Sequence, residues 1–379
     1  MRSLFFVVFI LWRAYLLSSH YKGISMRLFR CFFYLLFFYI PMLSGTEYIY
    51  PVASLGNEKT ILYIHQHSPT KIELFEWNTE TNHIEQILWS VFNPAGLTLL
   101  PNNSGFSFID NGRLRIKLFQ RRIPKSIDFD EPIYNINSLQ WIDDHSCYCS
   151  AQYNDNFGLF QLHDDGTMKC LAAENGKDYM YPQKIGDQLF YIERCAPING
   201  LSALHYTIMT SIYPNNDPSL MPAELIVNFY DTPIVFLTMI SHQEGFVLEH
   251  AQNRDSDSTA IQFSYHQIIK EGNVWCKNLL FSFVIPTYLL LHGTQQLYES
   301  ILPLLPRIVE NKIYFVNCTK NSNFNLEPYF YDLTTKISQK ITVPAKKGHY
   351  FVPIQHENKF YFGGTKLQNE KAPLFCFLT

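Results

Sequence analysis

Pro182-Gln183-Lys184-Ile185-Gly186-Asp187-Gln188-Leu189-Phe190-Tyr191 follows a plan that the chain repeats with changed residues. It returns as Pro306-Arg307-Ile308-Val309-Glu310-Asn311-Lys312-Ile313-Tyr314-Phe315 and as Pro353-Ile354-Gln355-His356-Glu357-Asn358-Lys359-Phe360-Tyr361-Phe362. A looser copy, Pro51 to Tyr63, carries a few extra residues before its aromatic end. In each copy a proline opens a short extended run, a polar pair closes it, and an aromatic strand starts at once. Proline lacks an N–H and fits strand entrances or edges. Asp, Asn and Gly accept left-handed backbone angles cheaply, so the polar pair reads as a tight turn.

The aromatic strand occurs seven times, centred on Tyr63, Phe108, Tyr148, Phe190, Val247, Tyr314 and Tyr361. The mean spacing is about 50 residues, the length of one four-stranded propeller blade. A second apolar run follows each: Ile72–Trp77, Leu114–Phe119, Phe157–Leu162, Leu204–Met209, Ile261–Tyr265, Tyr329–Leu333 and Leu374–Leu378. A further strand often follows across a turn such as Thr79–Asn82 or His163–Gly166. The pattern predicts an all-β, seven-bladed β-propeller over residues 46–379. The last unit stops at its third strand, so the final blade is expected to have three strands, with the chain ends held by packing between the first and last blades. Aromatic residues make up 16% of the chain, and such residues favour pleated, half-buried surfaces. Only Thr287–Ile301 shows a hint of helical spacing.

Residues 1–45 differ in kind. They contain Arg2, Arg13, Lys22, Arg27 and Arg30 and no acidic residue. Met26–Arg30, the apolar run Cys31–Leu43 and Ser44-Gly45 read as basic start, apolar middle and small-residue exit of a secretion signal, with Met26 as an alternative start. An uncleaved membrane anchor is the other reading, although each apolar run is shorter than the roughly 20 residues a spanning helix needs. Either way the chain is expected to be exported, to the periplasm or the cell exterior. Subtracting the five basic residues leaves 25 Lys and Arg against 33 Asp and Glu, a charge of −8. A negative body without a basic stripe argues against nucleic acid and anionic lipid as partners. Seven cysteines remain after Cys31, too many by one to pair fully, and buried free thiols are the simplest expectation.

The third unit runs Ser138-Leu139-Gln140-Trp141-Ile142-Asp143-Asp144, then Cys147-Tyr148-Cys149, then Asn154 to Leu162, then Asp165-Gly166. This resembles the blade repeat of TolB-type, WD40-like propellers: tryptophan and turn, apolar strand, polar loop, strand, Asp-Gly turn. Arg254-Asp255-Ser256-Asp257 echoes the polar loop. The resemblance implies the fold; propellers host scaffolds, binders and enzymes alike.

No sequence motif for a catalytic nucleophile, phosphate loop or metal site is present, so no catalytic, cofactor or metal residue is assigned. His65 and His67 sit two apart on a strand and could share a face as ligands. No third partner is indicated, and they are read as edge or solvent-facing residues. Asp255 and Asp257 lack the Gly and Glu of a calcium loop and are read as solvated. Trp141 is read as blade packing. The long connections Cys195–Ser202, Ala251–Ala260, Val284–Pro303, Asn317–Leu326 and Gly363–Lys371 all fall on one face, where binding residues concentrate on a rigid scaffold. There the candidate partner-binding residues are Arg254, Asp255, Asp257, Tyr288, Leu289, Leu290 and Leu291. With Ile285, the last four form an apolar knot that either docks a partner or fills the ring. The expected function is a monomeric, non-catalytic scaffold that binds a protein or cell-envelope component. The alternative is a propeller hydrolase or lyase with its site at the channel mouth.

Overall fold

The structure is a computed structural model. It describes residues 47–55, 59–68, 71–88, 93–110, 113–119, 125–129, 134–153, 156–195, 205–212, 224–230, 232–251, 260–286, 289, 304–318, 325–343, 349–357, 359–365 and 374–378. The chain divides into two units, Met1–Glu47 and Tyr48–Thr379, and the second holds every strand described below. Residues 1–45, with the expected signal or anchor, lie outside the described residues. Among the described residues no helix is long and apolar enough to cross a membrane.

The described strands form seven antiparallel sheets in chain order. The first is β1 (Tyr48–Leu55), β2 (Thr60–Ser68), β3 (Lys71–Asn78) and β4 (Ile84–Leu88); the second is β5 (Asn93–Leu99), β6 (Gly105–Asp110), β7 (Arg113–Leu118) and β8 (Lys125–Ile127). The third holds β9 (Tyr134–Trp141), β10 (Ser146–Tyr153), β11 (Asn156–His163) and β12 (Met168–Ala172). The fourth holds β13 (Lys177–Ile185), β14 (Gln188–Cys195), β15 (His205–Ile212) and β16 (Glu224–Tyr230). The fifth holds β17 (Ile234–Met239), β18 (Glu244–Ala251), β19 (Ala260–Glu271) and β20 (Val274–Pro286). The sixth holds β21 (Arg307–Val309), β22 (Lys312–Cys318), β23 (Leu326–Asp332) and β24 (Ile337–Lys340). The seventh is small: β25 (Ile354–His356), β26 (Lys359–Phe362) and β28 (Phe375–Leu378). A two-residue strand, β27 (Gly364–Thr365), leaves it and pairs with β1.

The repeated proline has a structural reason. In β1 the ladder shifts register between Pro51 and Ala53, and in β13 between Met180 and Gln183, around Pro182. A residue that cannot donate to the ladder is accommodated where the ladder is already broken. Pro306 and Pro353 instead stand one residue ahead of β21 and β25. The polar pairs are two-residue turns between Ile185 and Gln188, Val309 and Lys312, and His356 and Lys359. Their first residues, Gly186, Glu310 and Glu357, all have positive φ, at 61°, 53° and 53°.

All seven aromatic-strand centres are buried on second strands. Buried clusters bridge neighbouring sheets. Ile109, Leu114 and Ile127 of the second meet Trp141, Cys147 and Phe160 of the third. Tyr148 and Leu159 of the third meet Tyr179 and Tyr191 of the fourth. Trp141 also donates its indole N–H to Ser107 Oγ at 2.8 Å, so its polar edge is satisfied inside that core.

The seventh sheet packs on the first: Ile354, Tyr361 and Leu374 share a cluster with Ile49, Tyr63 and Trp77. The join is more than the expected packing. Tyr48 pairs with Thr365 and Ile49 with Gly364 along β1. A side chain at Gly363 would place its Cβ 2.1 Å from the Ile49 carbonyl, so glycine permits this approach. His356, at 1% exposure, receives a hydrogen bond from Ser54 at Nδ1 (2.8 Å) and faces Thr79 Oγ1 with Nε2 (3.3 Å). Thr79 donates its hydroxyl to Lys59 O, so it accepts from His356 Nε2–H, which fixes the tautomer.

Three expectations need correction. The fifth sheet's third strand extends to Glu271, beyond Tyr265, because apolar positions resume at Ile268 and Ile269 after a bulge between Tyr265 and His266. The expected connection from Val284 begins later, since β20 continues to Pro286 and Val284 N donates to Asn317 Oδ1. The cysteines are also less uniform than expected: Cys147 and Cys149 are buried free thiols, whereas Cys195, Cys276 and Cys318 are half-buried and Cys170 is exposed.

Candidate functional site

The antiparallel order gives each sheet two ends. At one end lie the turns from first to second strand and from third to fourth. At the other lie the connections from second to third strand and from each sheet to the next. Most of those longer connections fall outside the described residues, and with them Arg254, Asp255, Asp257, Tyr288, Leu290 and Leu291. Leu289 is half-buried and packs against the largest hydrophobic cluster, and Ile285 is fully buried in β20.

The same end carries a cluster that sequence reasoning left incomplete. His65 and His67 occupy one face of β2, with ring centroids 3.8 Å apart. Glu73 on β3 stands opposite His65 in the ladder, and its Oε2 lies 2.7 Å from His67 Nε2. A carboxylate only accepts, so His67 donates Nε2–H to it. His65 is 7% and Glu73 8% exposed, which corrects the solvent-facing reading: pairing with β3 covers the histidines. The missing signal was the bulge at His67: a regular ladder from Ser68 opposite Lys71 would set Leu74 against His65, and the register shift between Gln66 and Ser68 brings Glu73 there instead.

A second charged group sits between the fourth and fifth sheets. Glu249 on β18 receives Lys277 Nζ at 2.7 Å and lies 2.9 Å from His266 Nε2. The Lys277 ammonium is also 4.1 Å from the centroid of the Phe229 ring, a cation–π contact to the neighbouring sheet. Burial alone would raise the Glu249 carboxyl, but His266 and Lys277 hold it below the usual carboxylate value. Glu249 and His266 are buried and Lys277 covers them from the exposed side, so this is a structural group.

At the opposite end, between the same two sheets, lies a polar cleft of about 340 Å³ lined by Gln188, Thr210, Glu224, His242, Lys270 and Trp275 among others. Lys270 Nζ is 5.8 Å from the Trp275 ring centroid. Nearer the axis, Arg307 of β21 donates to Pro51 O of β1 at 3.1 Å and ties two first strands together.

No protein-family model matches the sequence, and no curated protein matches it. Solved structures do. A puromycin-hydrolysing peptidase of Mycobacterium tuberculosis superposes with a TM-score of 0.58 at 11% identity, over 84% of this chain and 48% of that one. The β-propeller domain of the Trilobed protease from Pyrococcus furiosus superposes with a TM-score of 0.50 at 10% identity, over 88% of this chain and 95% of the domain. The chain is a β-propeller. TolB from Acinetobacter baumannii is also similar, with a TM-score of 0.46, 11% identity, 81% of this chain and 65% of that one. This propeller therefore spans about half the length of the peptidase and about two thirds of TolB. Identities this low speak for the fold alone.

Proposed function

We propose that the chain is an exported, non-catalytic propeller of seven blades that binds a protein or a component of the cell envelope. The small seventh sheet is the last blade, and Gly364–Thr365 closes it on the first. The observation that carries the reading is the length of the second-to-third connections in the fourth, fifth and sixth sheets. Two-residue turns join the first and second strands of the fourth, sixth and seventh sheets at one end, which also carries the longer 213–223 connection. The other end carries connections such as 196–204, 252–259 and 319–325. Long loops on a rigid frame are where recognition residues concentrate.

The charged residues Arg254, Asp255 and Asp257, with Tyr288, Leu290 and Leu291, make the partner surface. Deleting residues 287–299 is expected to abolish capture of a partner from a cell-envelope extract while leaving the melting temperature nearly unchanged. Retained capture, or collapse of the fold, overturns that placement. Export is tested by the N-terminal sequence of the secreted or periplasmic protein, expected to begin after residue 45. A reading of hydrolase or lyase returns if the purified chain turns over ester, peptide or uronate substrates.

A further inference from the structure

We propose that His65 and His67 hold one divalent transition-metal ion of the zinc class, with Glu73 orienting His67 from behind. The argument starts from the strand. Side chains at i and i+2 point to one face, so a His-x-His run on β2 sets two imidazoles side by side on a rigid backbone. Here the two rings are 3.8 Å apart between centroids, tilted by 39°, and a ring nitrogen of each lies within 4.8 Å of the other. Zinc bonds imidazole nitrogen at about 2.0–2.1 Å, so one ion spans two donors up to about 4.2 Å apart.

The carboxylate strengthens the assignment. Ligating histidines characteristically donate their other ring N–H to a carboxylate, which fixes the tautomer and makes the ligand more basic. His67 does this through Nε2, 2.7 Å from Glu73 Oε2, which leaves Nδ1 as its donor atom to the ion. Glu73 is 8% exposed and sits on the partner strand, so it cannot swing away easily. Imidazole nitrogen with a carboxylate behind it suits zinc and its neighbours rather than calcium or magnesium, which prefer oxygen. The ion's other positions fall to water or to further groups. The site lies at the end of β2 that leads into the second-to-third connection, and it stands whether or not that end binds a partner.

The test is calorimetric titration of the full-length protein with zinc chloride. Wild type is expected to bind one equivalent saturably. His65→Gln and His67→Gln should each weaken that event by about tenfold or more, and Glu73→Gln by about 10- to 100-fold. Cys170→Ser, which removes the exposed thiol, should leave it unchanged. Zinc should also raise the melting temperature of wild type and not of His67→Gln, because an ion that binds only the folded state stabilises it. His67 is the more exposed of the pair, so its variant decides the matter if His65→Gln fails to fold. Absence of saturable binding, binding unchanged in His67→Gln, or binding lost in Cys170→Ser overturns the proposal.

Discussion

His356 lies between Ser54 and Thr79, residues far away in sequence, at the join between the last sheet and the first. Burial lowers its pKa, Glu357 acts against that, and Lys359 adds to it. The folded protein therefore takes up this proton less readily than the unfolded chain. The stability contributed by neutral His356 is complete above the unfolded value of about 6.5 and is lost as pH falls from there through the lower folded value. His250 and His349, also lowered by burial, act in the same direction. The urea midpoint of wild type should fall between about pH 7.5 and about pH 5.5, and that of His356→Gln should fall less; an equal fall in both would contradict this. Trp141 gives a second prediction. Trp141→Phe keeps most of the packing but leaves Ser107 without its indole donor, at a cost of about 1–3 kcal/mol in urea denaturation. At this scale the core was readable from sequence, because a buried aromatic recurs in a fixed frame. His356 was not: its partners come from a sheet at the other end of the chain, and no local pattern points to them.

The hairpins are where sequence and backbone agree most closely, and where they can be improved. Glu310 has φ 53° at the first position of a two-residue turn, a region that costs a long side chain and suits asparagine. Glu310→Asn is expected to stabilise by up to about 1 kcal/mol; a loss would show that the glutamate makes a contact worth more than the strain. Within the fifth sheet, Glu249→Ala leaves buried His266 without its carboxylate, while exposed Lys277 can turn to water. A loss of about 1–3 kcal/mol is expected, read from the denaturation midpoint. The first two strands of the first, fourth, sixth and seventh units were legible because proline, turn and aromatic run mark them. Outer strands were less so: Ile337–Lys340 is exposed at every position and carries no apolar alternation to read. The histidine–glutamate cluster was half legible. The His-x-His spacing was evident, while Glu73 reaches His65 only through the bulge at His67, which counting across the turn does not give.

Across the whole molecule the proposed seven-blade ring depends on one short contact, the pairing of Gly364–Thr365 with Tyr48 and Ile49. The repeat period made the blade plan visible. The backbone stitch was not foreseen, because two residues of strand have no periodicity and Gly363 reads as a loop. The binding surface stayed least legible, since recognition loops follow no repeat and carry no motif whose chemistry is fixed by spacing. Amide hydrogen exchange on wild type and Gly363→Ala tests the closed ring most directly. The added methyl meets the Ile49 carbonyl and should cost about 1–3 kcal/mol at the seam. The ring predicts that residues 48–55 and 354–362 are protected to the same degree in wild type and lose protection together in the variant, while residues 244–286 keep theirs. Residues 354–362 exchanging freely in wild type, with residues 48–55 still protected, would contradict it.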